Sequence, residues 1–139
     1  MTLGFAGYAA VFDRVDRAGD VIRAGAFGAV GVGVPLLWQH RGAPVGTIET
    51  LAEDARGLRV AGRIDDAALA ALVRGGAVRG LSVGYRVRAQ RQGAHRELTA
   101  LDLVEVSLVA VPMQALARID AVRERAMPRA GRIFSRRGD

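Results

Sequence analysis

From Ser82 onward, the apolar residues Val83, Tyr85 and Val87 alternate with Gly84, Arg86 and Arg88. A period of two puts successive side chains on opposite faces of a β-strand, so this stretch is read as a strand with one buried face. The same residues lie in Gly80-Leu81-Ser82-Val83-Gly84, which matches the G-x-S-x-G pattern of a nucleophile elbow. That elbow needs a helix directly after its serine, within a large α/β sheet. The alternation after Ser82 excludes such a helix, and with 18 glycines in the chain a five-residue match arises readily by chance. A serine on a strand is ordinarily no more than a strand residue. Any chemistry at Ser82 has to be argued from its partners.

The same periodicity extends over much of the chain. Residues 3–12 are small and apolar, anchored by Phe5, Tyr8 and Phe12, and read as a first strand. A charged loop with Gly19 follows, then a short extended piece over 21–27 that leads into a helical turn. Residues 34–40 form the next strand, with Pro35 at its start, where a missing N–H is tolerated. Arg41-Gly42-Ala43-Pro44 reads as a turn, and 45–51 with 58–64 as a hairpin across the polar loop 52–57. Asp65-Asp66 supplies a cap for a helix over 67–74, which Gly75-Gly76 ends. Strands over 78–89 and 97–111 flank a polar turn with Gly93. Pro112 suits a first helical position, and Leu116, Ile119 and Val122 then share a helical face. Six or seven strands and two helices predict a mainly β (α+β) fold, a closed β-barrel of about seven strands with peripheral helices. It occupies one domain, 1–126, followed by a basic, flexible tail over 127–139.

Charge and composition narrow the function classes. Within 139 residues all 20 basic side chains are arginine, the net charge is +6, and seven arginines lie between Arg118 and Arg137. Basic tails contact nucleic acid or acidic proteins. Aromatic content of 5% gives no stacking platform, so nucleic-acid binding is confined to that tail. With no cysteine there is no disulfide and no thiolate nucleophile or ligand. No apolar run approaches the roughly 18 residues of a membrane span, and the first residues lack a basic, cleavable leader. A protein used inside the cell and away from membranes is expected.

A serine becomes a nucleophile when a base takes its proton and a third group orients that base. Two histidines are available. His40 ends an apolar strand, whereas His95 sits in a polar hairpin turn among Arg91, Gln92, Arg96 and Glu97, so His40 is the better base. Glu105 stands out in an otherwise apolar strand and shares a face with Ser107. A carboxylate there is partly buried and needs a partner. His40 would serve in a triad, and an arginine would serve in a structural ion pair. Asp102 points to the opposite face and is the weaker choice. Two separated histidines without a spaced carboxylate cluster make no metal site, and no cofactor is expected. The order His40, Ser82, Glu105 also differs from the serine, acid, histidine order of α/β-hydrolases.

That order, with its surrounding blocks, resembles the HK97-type prohead (capsid maturation) proteases of tailed phages. The blocks are Gly7-Tyr8-Ala9-Ala10-Val11-Phe12, Gly19-Asp20-Val21-Ile22-Arg23-Ala24-Gly25-Ala26-Phe27 and Leu37-Trp38-Gln39-His40. Pro44-Val45-Gly46, Gly57-Leu58, the Ser82 block and Leu103-Val104-Glu105-Val106-Ser107-Leu108-Val109-Ala110-Val111-Pro112 follow. The resemblance covers roughly residues 4 to 120. It implies a serine endopeptidase with a fold like the herpesvirus assemblin proteases, a seven-stranded barrel wrapped by helices. It assigns Ser82 as nucleophile, His40 as general base and Glu105 as the orienting acid, where the herpesvirus enzymes use a second histidine. By the same resemblance the oxyanion donors fall around residues 109–111. The implied substrates are the major capsid protein and its scaffold segment, cut inside the assembling prohead in the host cytoplasm, with self-cleavage and a homo-oligomeric state. Similar genes occur in phage-like gene transfer agents. Two rivals stand beside this reading: an inactive barrel that binds scaffold or capsid protein, and a nucleic-acid-binding protein acting through the arginine tail.

Overall fold

Eight strands and one helix follow one another in the computed structural model, which describes residues 2–126. They are β1 (Thr2–Val11), β2 (Asp20–Ile22), β3 (Leu36–Trp38), β4 (Arg41–Glu53), β5 (Gly57–Ile64), α1 (Ala67–Arg74), β6 (Gly80–Gln92), β7 (Arg96–Val109) and β8 (Ile119–Arg125). The expected tail over 127–139 lies outside the described residues. Among the described residues no helix is long and apolar enough to cross a membrane.

All eight strands belong to one sheet, and β7 organises it. Along one edge β7 pairs antiparallel with β6 over nearly its whole length. Its other edge takes two short parallel strands, β2 at residues 96–98 and β3 at residues 106–108. From β3 the sheet continues antiparallel through β4, β5, β1 and β8. Large aliphatic side chains from several strands turn inward. Leu3, Leu58, Ile64, Leu81, Leu98, Leu101 and Leu108 are all buried in one core. Each such side chain contributes roughly 1.5–3 kcal/mol relative to exposure. The helix adds Leu69, Ala70 and Val73 to this core, and its N-terminus is capped by Asp66, whose Oδ1 accepts the Leu69 N–H at 2.8 Å.

Three expectations need correction. The sheet is not closed into a barrel. Its two ends, β6 and β8, meet at the single bridge Gly80↔Arg118 instead of along a ladder. Leu81 N–H reaches Ala117 O and Ile119 N–H reaches Arg79 O, after which β6 follows β7 and β8 follows β1. Second, no helix follows Pro112: residues 110–117 form turns and Ile119–Arg125 is the strand β8. Leu116, Ile119 and Val122 do not share a face, since Ile119 is buried and Val122 is exposed. Tertiary contact overrides the helical spacing here. Gln114 bonds both Val11 N–H and Val11 C=O at 2.8 Å, pulling the chain back onto β1. Gly7 then lets β1 approach, because a Cβ there would stand 2.2 Å from Arg118 O. Third, the turn after β3 is not at residues 41–44, which already belong to β4; it is at Gln39-His40.

Candidate active site

Ser82 is the third residue of β6 and lies directly opposite Ser107 of β7, with Gly84 opposite Glu105 one step along. Opposed residues share a sheet face, so Ser82, Gly84, Ser107 and Glu105 project to the same side. Glu105 and Ser107 are both buried, and Ser107 Oγ donates to Glu105 Oε1 at 2.8 Å. The glycine opposite has a steric reason. A Cβ at position 84 would come within 2.8 Å of the Glu105 Cδ and Oε2 atoms. Glu105 therefore lies folded over Gly84, in space that any other residue would fill. Gly84→Ala should push the carboxylate aside and lower the unfolding free energy by about 1–3 kcal/mol, as overpacking does. Urea denaturation measures that loss.

The third group arrives on the turn between β3 and β4. Trp38 pairs with Arg41, leaving Gln39 and His40 as the two central residues, with φ of 54° and 66°. Two-residue hairpins of type I′ require positive φ at both centres and favour Asn-Gly there. Gln-His has no such preference, and left-handed conformation costs a non-glycine residue roughly 1–2 kcal/mol. Three hydrogen bonds to β7 and the residues after it hold the turn. Gln39 N–H donates to Leu108 O at 2.9 Å and His40 N–H to Ser107 Oγ at 3.1 Å. Ala110 N–H donates to Gln39 Oε1 at 2.8 Å. Backbone strain maintained by its surroundings is typical of functional positions.

So held, the His40 ring sets Nδ1 3.0 Å from Glu105 Oε2 and 3.1 Å from Oε1. The contact joins a buried carboxylate to an imidazole whose side chain is 46% exposed. Ser107 links the two, accepting from the His40 backbone and donating to Glu105. With Nδ1 engaged, Nε2 is the free ring nitrogen. Ser82 and His40 line one cavity of about 270 Å³, without a hydrogen bond joining them. Such contacts commonly tighten only when substrate is bound.

The structure brings His40, Ser82 and Glu105 together and leaves the weaker candidates outside. His95 is exposed in the β6–β7 turn, and Asp102 is exposed and paired with Arg88 at 2.8 Å. Residues 109–112 cross the start of β6 so closely that a Cβ at Gly80 would meet Val109 O at 2.7 Å. Sequence reasoning gave Gln39 and Asp16 no part and noted only the direction of Ser107. Of these, Ser107 alone carried a signal, its period-two relation to Glu105.

The fold of this β-sheet is shared with solved herpesvirus proteases. The protease of KSHV in complex with a hexapeptide phosphonate inhibitor superposes with a TM-score of 0.55 at 13% identity, covering 90% of this chain and 66% of that one. A second KSHV protease structure gives 0.57 at 15% identity, with 90% and 62% covered. The varicella-zoster virus protease gives 0.52 at 17%, with 86% and 64% covered. At these identities the likeness is one of fold. Residues 1–130 match the sequence profile of the Caudovirus prohead serine protease family, and the chain belongs to that family. It is also similar to the prohead protease of Enterobacteria phage HK97, 38% identical over 94 residues. That match takes in 60% of this chain and 42% of the relative, so it spans less than half of the relative's length.

Proposed function

We propose that the chain is a serine endopeptidase of prohead maturation that cuts capsid protein and its scaffold segment inside the assembling shell, in the host cytoplasm, and cuts itself. The observation that carries this reading is the contact of the buried Glu105 carboxylate with Nδ1 of His40, which lines one cavity with Ser82. Glu105 accepts a hydrogen bond from Nδ1–H and so fixes the tautomer in which Nε2 is a base. Nε2 takes the proton as Ser82 Oγ attacks the scissile carbonyl carbon, and returns it to the leaving amine as the C–N bond breaks. Water then enters by the same proton path, and the acyl ester on Ser82 is hydrolysed.

The developing oxyanion needs N–H donors fixed before reaction. The turn over residues 109–111 lies near the start of β6, and its Ala110 N–H is engaged by Gln39. Val111 N–H has no hydrogen-bond partner among the described residues.

A small alkyl fluorophosphonate tests the nucleophile without any assumption about substrate. Ser82 Oγ forms a bond to phosphorus as fluoride leaves, and mass spectrometry of the digested protein should locate the adduct on Ser82. Unlabelled protein, or an adduct on another serine, overturns the assignment.

A further inference from the structure

We propose that the cavity beside Ser82 is a subsite for a basic side chain of the substrate, with Asp16 as its counter-charge; this rests on the serine-protease reading above. Among the described residues Asp16 is the one carboxylate lining that cavity, whose other walls include Ala9, Ile22, Tyr85 and Met113. Apolar walls suit the methylene stem of lysine or arginine, and a carboxylate suits its charged head.

Asp16 is only 8% exposed, and its position is fixed. Oδ1 accepts the backbone N–H groups of Ala18 at 2.8 Å and Asp20 at 2.9 Å. Oδ2 receives no hydrogen bond among the described residues, and Asp16 has no ion-pair partner among them. Of the neighbouring charges, Arg96 is committed to Asp20, though its guanidinium also feels the Asp16 charge. Asp20 holds Arg96 through two hydrogen bonds of 2.9 and 2.7 Å, and this guanidinium keeps the Asp20 carboxyl below its usual range. Arg17, next in sequence, turns its Nε to Pro112 O at 3.1 Å. His40, on the same cavity, is turned to Glu105. The Tyr85 hydroxyl is kept protonated, first by burial and then by the carboxylates of Asp16 and Asp20. With Asp20 and Arg96 joined by hydrogen bonds, Asp16 presents a carboxylate without a hydrogen-bonded cation to the cavity that Ser82 also lines. The free Oδ2 is therefore open to the cavity, where a substrate cation would supply a charge-assisted partner.

Asp16→Asn tests this with little disturbance, since asparagine keeps the Oδ1 acceptor of the loop and removes the charge. A library of internally quenched peptides, scanned on both sides of the cleaved bond, should show a preference for arginine or lysine at one position in the wild type. In Asp16→Asn, kcat/KM for that basic peptide should fall about 30-fold or more, while its glutamine or methionine counterpart stays within about threefold. No basic preference in the wild type, or one that survives in Asp16→Asn, overturns the subsite.

In the wild type alone, n-butylguanidinium should compete with substrate where n-butylurea does not; equal inhibition by both overturns the subsite as well. Fluorophosphonate labelling separates the two levels. Labelled Ser82 without basic preference removes the subsite and leaves the nucleophile standing, whereas failure to label removes the serine reading and with it the subsite.

Discussion

Ser82→Ala should leave the chain folded and lower processing of the capsid protein by about 10⁴-fold or more, the scale on which removing a catalytic serine acts. The two effects separate because of where the hydroxyl sits. Ser82 is 6% exposed on a strand whose backbone pairing does not depend on its side chain, and its Oγ has no hydrogen bond to His40. Removing it forfeits little folding energy, about 1 kcal/mol or less. Yet every bond change in the proposed reaction passes through that oxygen. Co-expression of the wild type or Ser82→Ala with the cognate capsid protein, followed by the size of the capsid protein on gels, reads the chemical effect. Circular dichroism melts read the folding effect. A variant that melts like the wild type and still processes its partner would place the nucleophile elsewhere.

The site was legible in the sequence where local pattern and tertiary demand agree. The alternation after Ser82 marks β6, and the same period puts Glu105 and Ser107 on one face of β7, where their hydroxyl and carboxylate bond. Asp66 announces α1 because an N-cap is a local device. The turn that carries His40 was hidden for a physical reason. Its residues have no intrinsic preference for positive φ, and what stabilises them is bonding to Ser107, Leu108 and Ala110, some 70 residues away. An Arg-Gly-Ala-Pro stretch with obvious turn composition drew the expectation instead, although it runs inside β4.

The strand β8 was lost in a similar way. Leu116, Ile119 and Val122 have helical spacing, but Gly4 and Gly7 of β1 let a strand lie close, and pairing along β1 decides the outcome. Whether the sheet closes depends on how β6 and β8 diverge after Gly80↔Arg118, and no local pattern encodes that divergence. Ordinary propensity is a weak prior against such contacts.

Glu105→Gln should lower kcat by about 10²–10⁴-fold while the protein stays folded, by the same reasoning that applies to the buried acid of a serine triad. Glutamine has nearly the shape of glutamate, so it can lie over Gly84 and keep the hydrogen bond from Ser107 Oγ through its carbonyl oxygen. That leaves the amide N–H₂ to face His40 Nδ1. An amide donor there favours the ring tautomer with the proton on Nε2, which cannot accept a proton from Ser82. The variant also loses the negative charge that stabilises the imidazolium formed during attack. Two readouts distinguish this from a structural defect. The thermal midpoint should stay near that of the wild type, because the altered contact is to His40, whose side chain is 46% exposed and screened by water. Fluorophosphonate labelling of Ser82 should slow in parallel with peptide cleavage, since both need Nε2 as base. Full activity in Glu105→Gln would mean that His40 and Ser82 act as a dyad and that Glu105 only anchors the turn.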